Sequence, residues 1–290
     1  MSIPAVGIIV PRMNDHYITS TLQGIGQVLG SRGYEVMITH SQGSSGQEAA
    51  AARLLTGQDV RGIIACPSAE TRDMGHFKAF TRRGVPVVFF GHVKKLEETT
   101  SVVIDHRRCG FMAAEHLVRQ GCRRIAIVAS GLWQEGNAQR YDGFLHGLRS
   151  YDVPFSDELL IVGETDEGSG ADAAARLLCL DPVPDGVFIT SDLVAAVCIH
   201  VLEEAGVRVP ADMAIVGFNN EPAARLTTPS LTTIEYPGLE IGKVAAERLL
   251  ERISGCVPDA APRTVVVPAG LIVRHSSLRK NSLEKIYSID

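Results

Sequence analysis

Ala5-Val6-Gly7-Ile8-Ile9-Val10-Pro11-Arg12-Met13-Asn14-Asp15-His16-Tyr17 is the stretch on which the reading of the chain turns. Its first six residues are apolar and show no polar alternation, the pattern of a strand buried on both faces. A polar loop follows. Ile18, Leu22, Ile25 and Leu29 then recur at 4-3-4 spacing, which predicts a helix over 17–32 that Gly33 stops. A buried strand, a loop and an amphipathic helix in that order open a parallel sheet with helices on its faces.

Working outward, the same unit repeats. Strands are predicted at 35–39, 60–65, 85–90 and 102–104, with helices near 46–56, 70–82 and 109–120, the last two ending at Gly84 and Gly121. The pattern restarts at Arg124-Ile125-Ala126-Ile127-Val128. Helices at 137–149, 169–179 and 192–205 alternate with strands at 159–162, 186–190 and 213–217. A strand at 231–234, a helix at 239–254 and a last strand region at 263–274 close the series. About ten strands exceed one comfortable doubly wound sheet. The expectation is α/β, with two doubly wound, Rossmann-like parallel-sheet lobes that exchange strands. The polar tail 277–290 is expected to be peripheral.

Bulk composition narrows the function. The 290 residues are 45% hydrophobic and 21% charged, with a net charge of −5. That is a globular balance with no excess of basic charge to favour nucleic acid or an anionic membrane. No apolar run is long enough to span a bilayer. Met1-Ser2-Ile3-Pro4 carries no basic leader, so a cytoplasmic protein without membrane contact is expected. The six cysteines, at 66, 109, 122, 179, 198 and 256, form no C-x-x-C pair and read as buried reduced thiols, Cys179 in its apolar run included.

Ligands of open parallel sheets bind beyond the carboxyl ends of the strands. The first such loop, 11–16, has none of the glycines a dinucleotide pyrophosphate needs. Residues 131–136 have the glycine spacing of a phosphate-binding loop but continue Asn137-Ala138, without lysine or hydroxyl. Neither a G-x-S-x-G elbow nor an H-E-x-x-H pair is present. The nine histidines are scattered, and the carboxylates at 164–167 read as solvated loop charges. The sequence therefore predicts no enzyme, no cofactor and no metal.

Several segments together resemble the LacI/GalR family of transcription regulators, whose core is of the periplasmic-binding-protein type I fold. They include 6–11 with Tyr17; Arg61-Gly62-Ile63-Ile64 with Gly84-Val85-Pro86-Val87-Val88; Asp105 with Gly110 and Ala114-Glu115-His116-Leu117; and Arg140-Tyr141-Asp142-Gly143-Phe144. Ser191-Asp192-Leu193, Ile215-Val216-Gly217-Phe218-Asn219-Asn220 and Pro229-Ser230-Leu231-Thr232-Thr233-Ile234 complete the set. The resemblance covers positions 6 to about 276. It implies two lobes joined by three crossovers, placed near 122, 235 and 262. One lobe would hold 3–121 with 236–261, the other 122–235 with 262–276. It further implies a homodimer that senses a small carbohydrate-like effector between the lobes. The family carries a helix-turn-helix domain before its first strand. Here that strand begins near residue 5, so operator DNA would be reached only through a domain missing from this chain. The alternative is a stand-alone sugar-binding protein serving a transporter.

The resemblance also assigns the ligand contacts. Tyr17 would be a ring platform beside Asp15, or only a staple at its helix start. Arg140 matches the family arginine that reaches ligand hydroxyls. Ser191 stands where asparagine is usual and could be a plain N-cap, while Asp192 matches the family aspartate. Asn219 replaces a carboxylate that takes sugar hydroxyls. Trp133 either roofs the pocket or packs. Arg12, where aspartate is common, and Arg107 and Arg108, in a loop lining the pocket, make the site less negative than usual. They suggest an acidic effector such as a sugar acid or sugar phosphate, unless these arginines face solvent.

Overall fold

The computed structural model describes residues 3–91, 99–163, 167–255 and 263–279. Cys256, the carboxylates Glu164 and Asp166 and the tail from 280 lie outside the described residues. Within them the chain runs β1 (Ala5–Val10), α1 (His16–Ser31), β2 (Glu35–His40), α2 (Ser45–Thr56), β3 (Val60–Ala65), α3 (Gly75–Thr81), β4 (Val87–Phe90) and β5 (Thr100–Val103). It continues α4 (His106–Arg119), β6 (Ile125–Ser130), α5 (Glu135–Ser150), β7 (Leu160–Gly163), α6 (Glu167–Leu178), β8 (Gly186–Ile189) and α7 (Asp192–Glu204). It closes with β9 (Ala214–Asn219), β10 (Thr232–Glu235), α8 (Gly238–Ser254), β11 (Thr264–Val266) and β12 (Leu271–Ile272).

The chain forms two compact units. The first holds Met1–Ile104 with Pro237–Pro268, and the second Asp105–Tyr236 with Ala269–Asp290. The first sheet has the order β11-β5-β4-β3-β1-β2, and each of its pairings is parallel. The second has the order β12-β10-β9-β8-β6-β7, parallel except for the β10–β12 pairing. Both sheets therefore reverse winding direction beside their first strand, between β1 and β3 and between β6 and β8. Ile9, Leu55, Ile63, Phe77, Phe80 and Phe89 belong to the core of the first unit. Val128, Leu177, Ile189, Val194, Leu202 and Ile215 belong to that of the second.

Two crossovers fall elsewhere than the sequence predicts. The first lies at Ile104/Asp105, not near 122, because α4 belongs to the second unit. There it crosses α5 through two glycines. A Cβ on Gly110 would land on the Arg140 carbonyl oxygen, and one on Gly143 on that of Arg107. The third lies at Pro268/Ala269, not near 262, because β11 pairs with β5 in the first sheet and only β12 joins the second. In the first unit α1 and α8 approach in the same way, a Cβ on Gly24 meeting Leu239 O and one on Gly242 meeting Thr21 O.

Two smaller expectations are corrected. Cys66, Cys109, Cys122 and Cys198 are buried, but Cys179 is exposed. It lies two residues beyond the buried Leu177, about 200° round a helix and so on the outer face. The tail is not peripheral at its start. Ser277 is buried. Its Oγ lies 2.7 Å from His116 Nε2 and 2.7 Å from Thr232 Oγ1. Arg279 donates to Pro210 O at 3.0 Å.

Candidate functional site

In the first unit the loop after β1 carries Arg12, Asp15 and Tyr17. Asp15 is the N-cap residue of α1, yet its side chain makes no capping bond. Its carboxyl titrates above the usual range, chiefly because it is partly desolvated, with the Arg12 guanidinium acting in the opposite direction. Tyr17 is half-buried in the first turn. Its carbonyl accepts from Thr21 Oγ1 at 2.7 Å, and a Cβ on Gly238 would lie 2.7 Å from that oxygen. The close start of α8 thus holds the turn in place. Arg12 is exposed and, with Met13, Asn14, His40 and Gln42, lines an open hollow of about 360 Å³.

In the second unit the polar groups at the strand ends converge more tightly. Arg140, one and a half turns into α5, is buried. Its Nε donates to Gly136 O at 3.2 Å and an Nη to Asn137 Oδ1. Its Cζ stands 4.1 Å from the centroid of the Phe218 ring, a cation–π contact in a desolvated setting. Asn137, also buried, donates to the Ser130 carbonyl at the end of β6 and so ties α5 to the strand that precedes it. Below lie His106, Phe218 and Tyr236, with ring centroids 6.4 Å apart in each pairing.

Asp192 begins α7 and is 0% exposed. Its Oδ1 accepts from Thr233 Oγ1 at 2.7 Å and its Oδ2 from the Glu221 amide at 2.8 Å. A Cβ on Gly217 would strike this carboxylate, so glycine makes room for it. Burial pushes its pKa up to about 7 against the hydrogen bonds that favour the charged form. Asp192 is thus a bracket for the β9 loop, with its oxygens turned to the protein. Asn219 and Asn220 follow it with φ of 110° and 54°, a region asparagine tolerates. Asn219 Nδ2 donates to Glu221 Oε1 at 3.2 Å, and Asn220 Oδ1 accepts from Arg274 at 2.7 Å.

The remaining expected residues divide. Ser191 is the N-cap of α7, its Oγ accepting from the Val194 amide at 3.4 Å. Trp133 is 65% exposed, so it is not a core residue of its unit. Arg107 is ion-paired to Asp142 at 3.0 Å, with both side chains largely exposed, and Arg108 lies 5.2 Å over Phe111 of its own helix. The second unit thus brings Arg140, Asp192 and Asn219 to neighbouring strand ends, with Ser191 beside them. Arg107 and Arg108 engage partners on their own and the adjoining helix. The sequence reading missed Asn137, His106 and Arg274. The R-x-x-G-F pattern pointed at Arg140 but gave no sign of the amide three residues before it.

Among the described residues no group of three or more His, Cys, Asp or Glu could hold a metal ion, and no helix is long and apolar enough to cross a membrane. Two doubly wound units with polar side chains gathered at the strand ends define a ligand-binding α/β protein. Residues 114–277, more than half of the chain, match the periplasmic binding protein-like domain family. The transcriptional repressor PurR of Actinobacillus pleuropneumoniae serotype 3 is 26% identical over 272 residues, 94% of this chain and 80% of its own. The transcriptional regulator CelR in complex with cellobiose superposes with a TM-score of 0.84 at 28% identity, over 94% of this chain and 84% of CelR. A LacI family transcriptional regulator from Enterococcus faecium with bound ribose does so with 0.81 at 27%, over 94% and 98%. The chain belongs to the periplasmic binding protein-like family, as a LacI-type effector-binding core.

Proposed function

We propose that the chain senses a small sugar-like effector and, as a homodimer, adjusts the affinity of a LacI-type regulator for its operator. The effector would be held by strand-end side chains of both units: Arg140 and Asn219 from the second, Tyr17 and Asp15 from the first, with Trp133 as a roof. Asp192 and Ser191 would act by holding the loops that carry those contacts. The observation that carries the reading is the buried Arg140 guanidinium. It is fixed in plane by Gly136 O and Asn137, is stacked on Phe218, and sits beside the winding reversal of its sheet. A prepositioned planar donor set suits vicinal hydroxyls or a carboxylate. The cellobiose and ribose complexes of its relatives make sugars the first class to try.

An acidic effector remains an arm of the proposal, now resting mainly on Arg12. The experiment is calorimetric titration with neutral pentoses, hexoses and disaccharides and with their acids. Arg140→Gln should weaken the binding sugar by about 10- to 150-fold, the worth of a charged hydrogen bond of ~1.5–3 kcal/mol, with far-UV circular dichroism unchanged. Undiminished binding in a folded Arg140→Gln protein would remove Arg140 from the site. Binding confined to neutral sugars would end the acidic arm.

A further inference from the structure

The first unit carries a second cavity, at the opposite end of its sheet from the loop of Arg12 and Tyr17. It encloses about 420 Å³ beside the amino ends of β3 and β4, within the ~300–1,000 Å³ of ordinary small-molecule sites. Its floor includes Leu55 and Phe80, each 1% exposed. Its rim bears Arg61, Arg83 and Arg252, with Asp59 as the one carboxylate among the described lining residues. In a chain of net charge −5, three guanidinium groups gather around one hollow.

Part of that positive charge serves the fold. Helices α2, α3 and α8 all end at this side of the sheet, and their carbonyl ends favour cations. Arg83 donates to Thr56 O at the end of α2, and Arg252 donates to Thr100 Oγ1 at 3.0 Å. Those bonds tether two of the three guanidinium groups at the rim. Arg61 meets Asp59 only at 3.8 Å, both side chains being mostly exposed, a contact of little strength in water. A guanidinium has five N–H groups, so the bond of Arg83 to the Thr56 carbonyl does not exhaust its capacity for an anion.

We propose that this cavity is a binding site for a small organic anion, a carboxylate or phosphate ester joined to a flat apolar body. The anionic group would lie among the three arginines and the apolar part against Val85, Pro86 and Ile253, the partly exposed apolar residues of the lining. This site shares no residue with the effector contacts proposed above, so the two proposals stand or fall separately.

Phenyl phosphate and inorganic phosphate are the probes, titrated into the whole chain by calorimetry, with methyl NMR of leucine and isoleucine to locate binding. The proposal expects saturable binding of phenyl phosphate, with Leu55 and Ile253 methyl signals moving. It expects binding at least about tenfold weaker for inorganic phosphate, which lacks the apolar body. It also expects a loss of about tenfold or more in Arg61→Gln, a variant at an exposed side chain that leaves the bonds of Arg83 to Thr56 O and of Arg252 to Thr100 Oγ1 in place. A folded Arg61→Gln and Arg252→Gln double variant should bind neither probe measurably. Absence of saturable binding to the wild-type chain would overturn the site. So would equal affinity for the two probes, or binding unaltered in the double variant.

Discussion

Two buried titratable groups of the second unit have opposite effects on stability as the pH changes. Asp192 titrates at about 7 in the fold against an ordinary 3.8 because it is buried. The folded state therefore holds a proton that the unfolded chain releases between those values. Its contribution to stability is complete below about 3.8 and is lost as the pH rises through 7. His116 titrates at about 4 against 6.5, lowered first by burial and then by Arg119. Its contribution is complete above 6.5 and is lost as the pH falls through 4. Urea unfolding at about pH 5, 6.5 and 8 separates them. Asp192→Asn should cost more stability at pH 5 than at pH 8, and His116→Gln less at pH 5 than at pH 8. Parallel shifts at all three values would mean that neither group titrates as its burial implies. The roles of these residues were only half legible in the sequence. Asp192 stood out by its match to the aspartate of the family it resembles, which implied a ligand contact. That its oxygens turn inward depends on Gly217 and Thr233, strands away in sequence, and no local pattern encodes that.

At the scale of elements, the helix pairs α4–α5 and α1–α8 rest on backbone contact at glycine, where side chains elsewhere keep helices about 8–10 Å apart. Gly110→Ala, Gly143→Ala and Gly242→Ala each drive a methyl into a carbonyl oxygen of the facing helix. Each should cost about 1–3 kcal/mol or more, because two packed helices must separate. Gly26, in the middle of α1, has nothing within 4 Å of its would-be Cβ and is exposed. Gly26→Ala should instead stabilise by up to about 1 kcal/mol through helix propensity. Thermal unfolding of the four variants reads the contrast; a loss at Gly26 like that at Gly110 would show the glycines to be interchangeable spacers. The same glycines explain what the sequence left hidden. The strand–helix alternation located α4 but could not say which sheet it packs on. Gly110 and Gly143 give the partner, yet a glycine reads identically as a helix weakness until the facing helix is known. The strand region 263–274 was likewise visible as one run. Pro268 and Gly270 divide it, and its two halves enter different sheets.

At the scale of the whole molecule, the chain passes between its units three times, after Ile104, Tyr236 and Pro268. The alternation of strands and helices made two wound sheets legible from the sequence alone, since period and order survive without knowledge of partners. An effector held by both units makes a demand that one held by a single unit does not. A ligand that binds only the folded state adds RT ln(1 + [L]/Kd), about 2.7 kcal/mol at a hundred times Kd, to every opening that breaks its contacts. If contacts come from both units, local openings in both must pay that increment. Hydrogen exchange with saturating sugar should therefore slow amides of the β1 loop and the first turn of α1, at 12–19. It should equally slow those at 131–141 and 219–221 in the second unit. The cavity lined by Arg61 and Arg252 should be unaffected, which supplies an internal control. Slowing confined to the second unit would leave Arg140 as a ligand contact but end the two-unit grip. A ligand shifts an equilibrium only by its differential affinity for the two states, so a sugar indifferent to the first unit would give the regulator no means of reading its presence as a change in geometry.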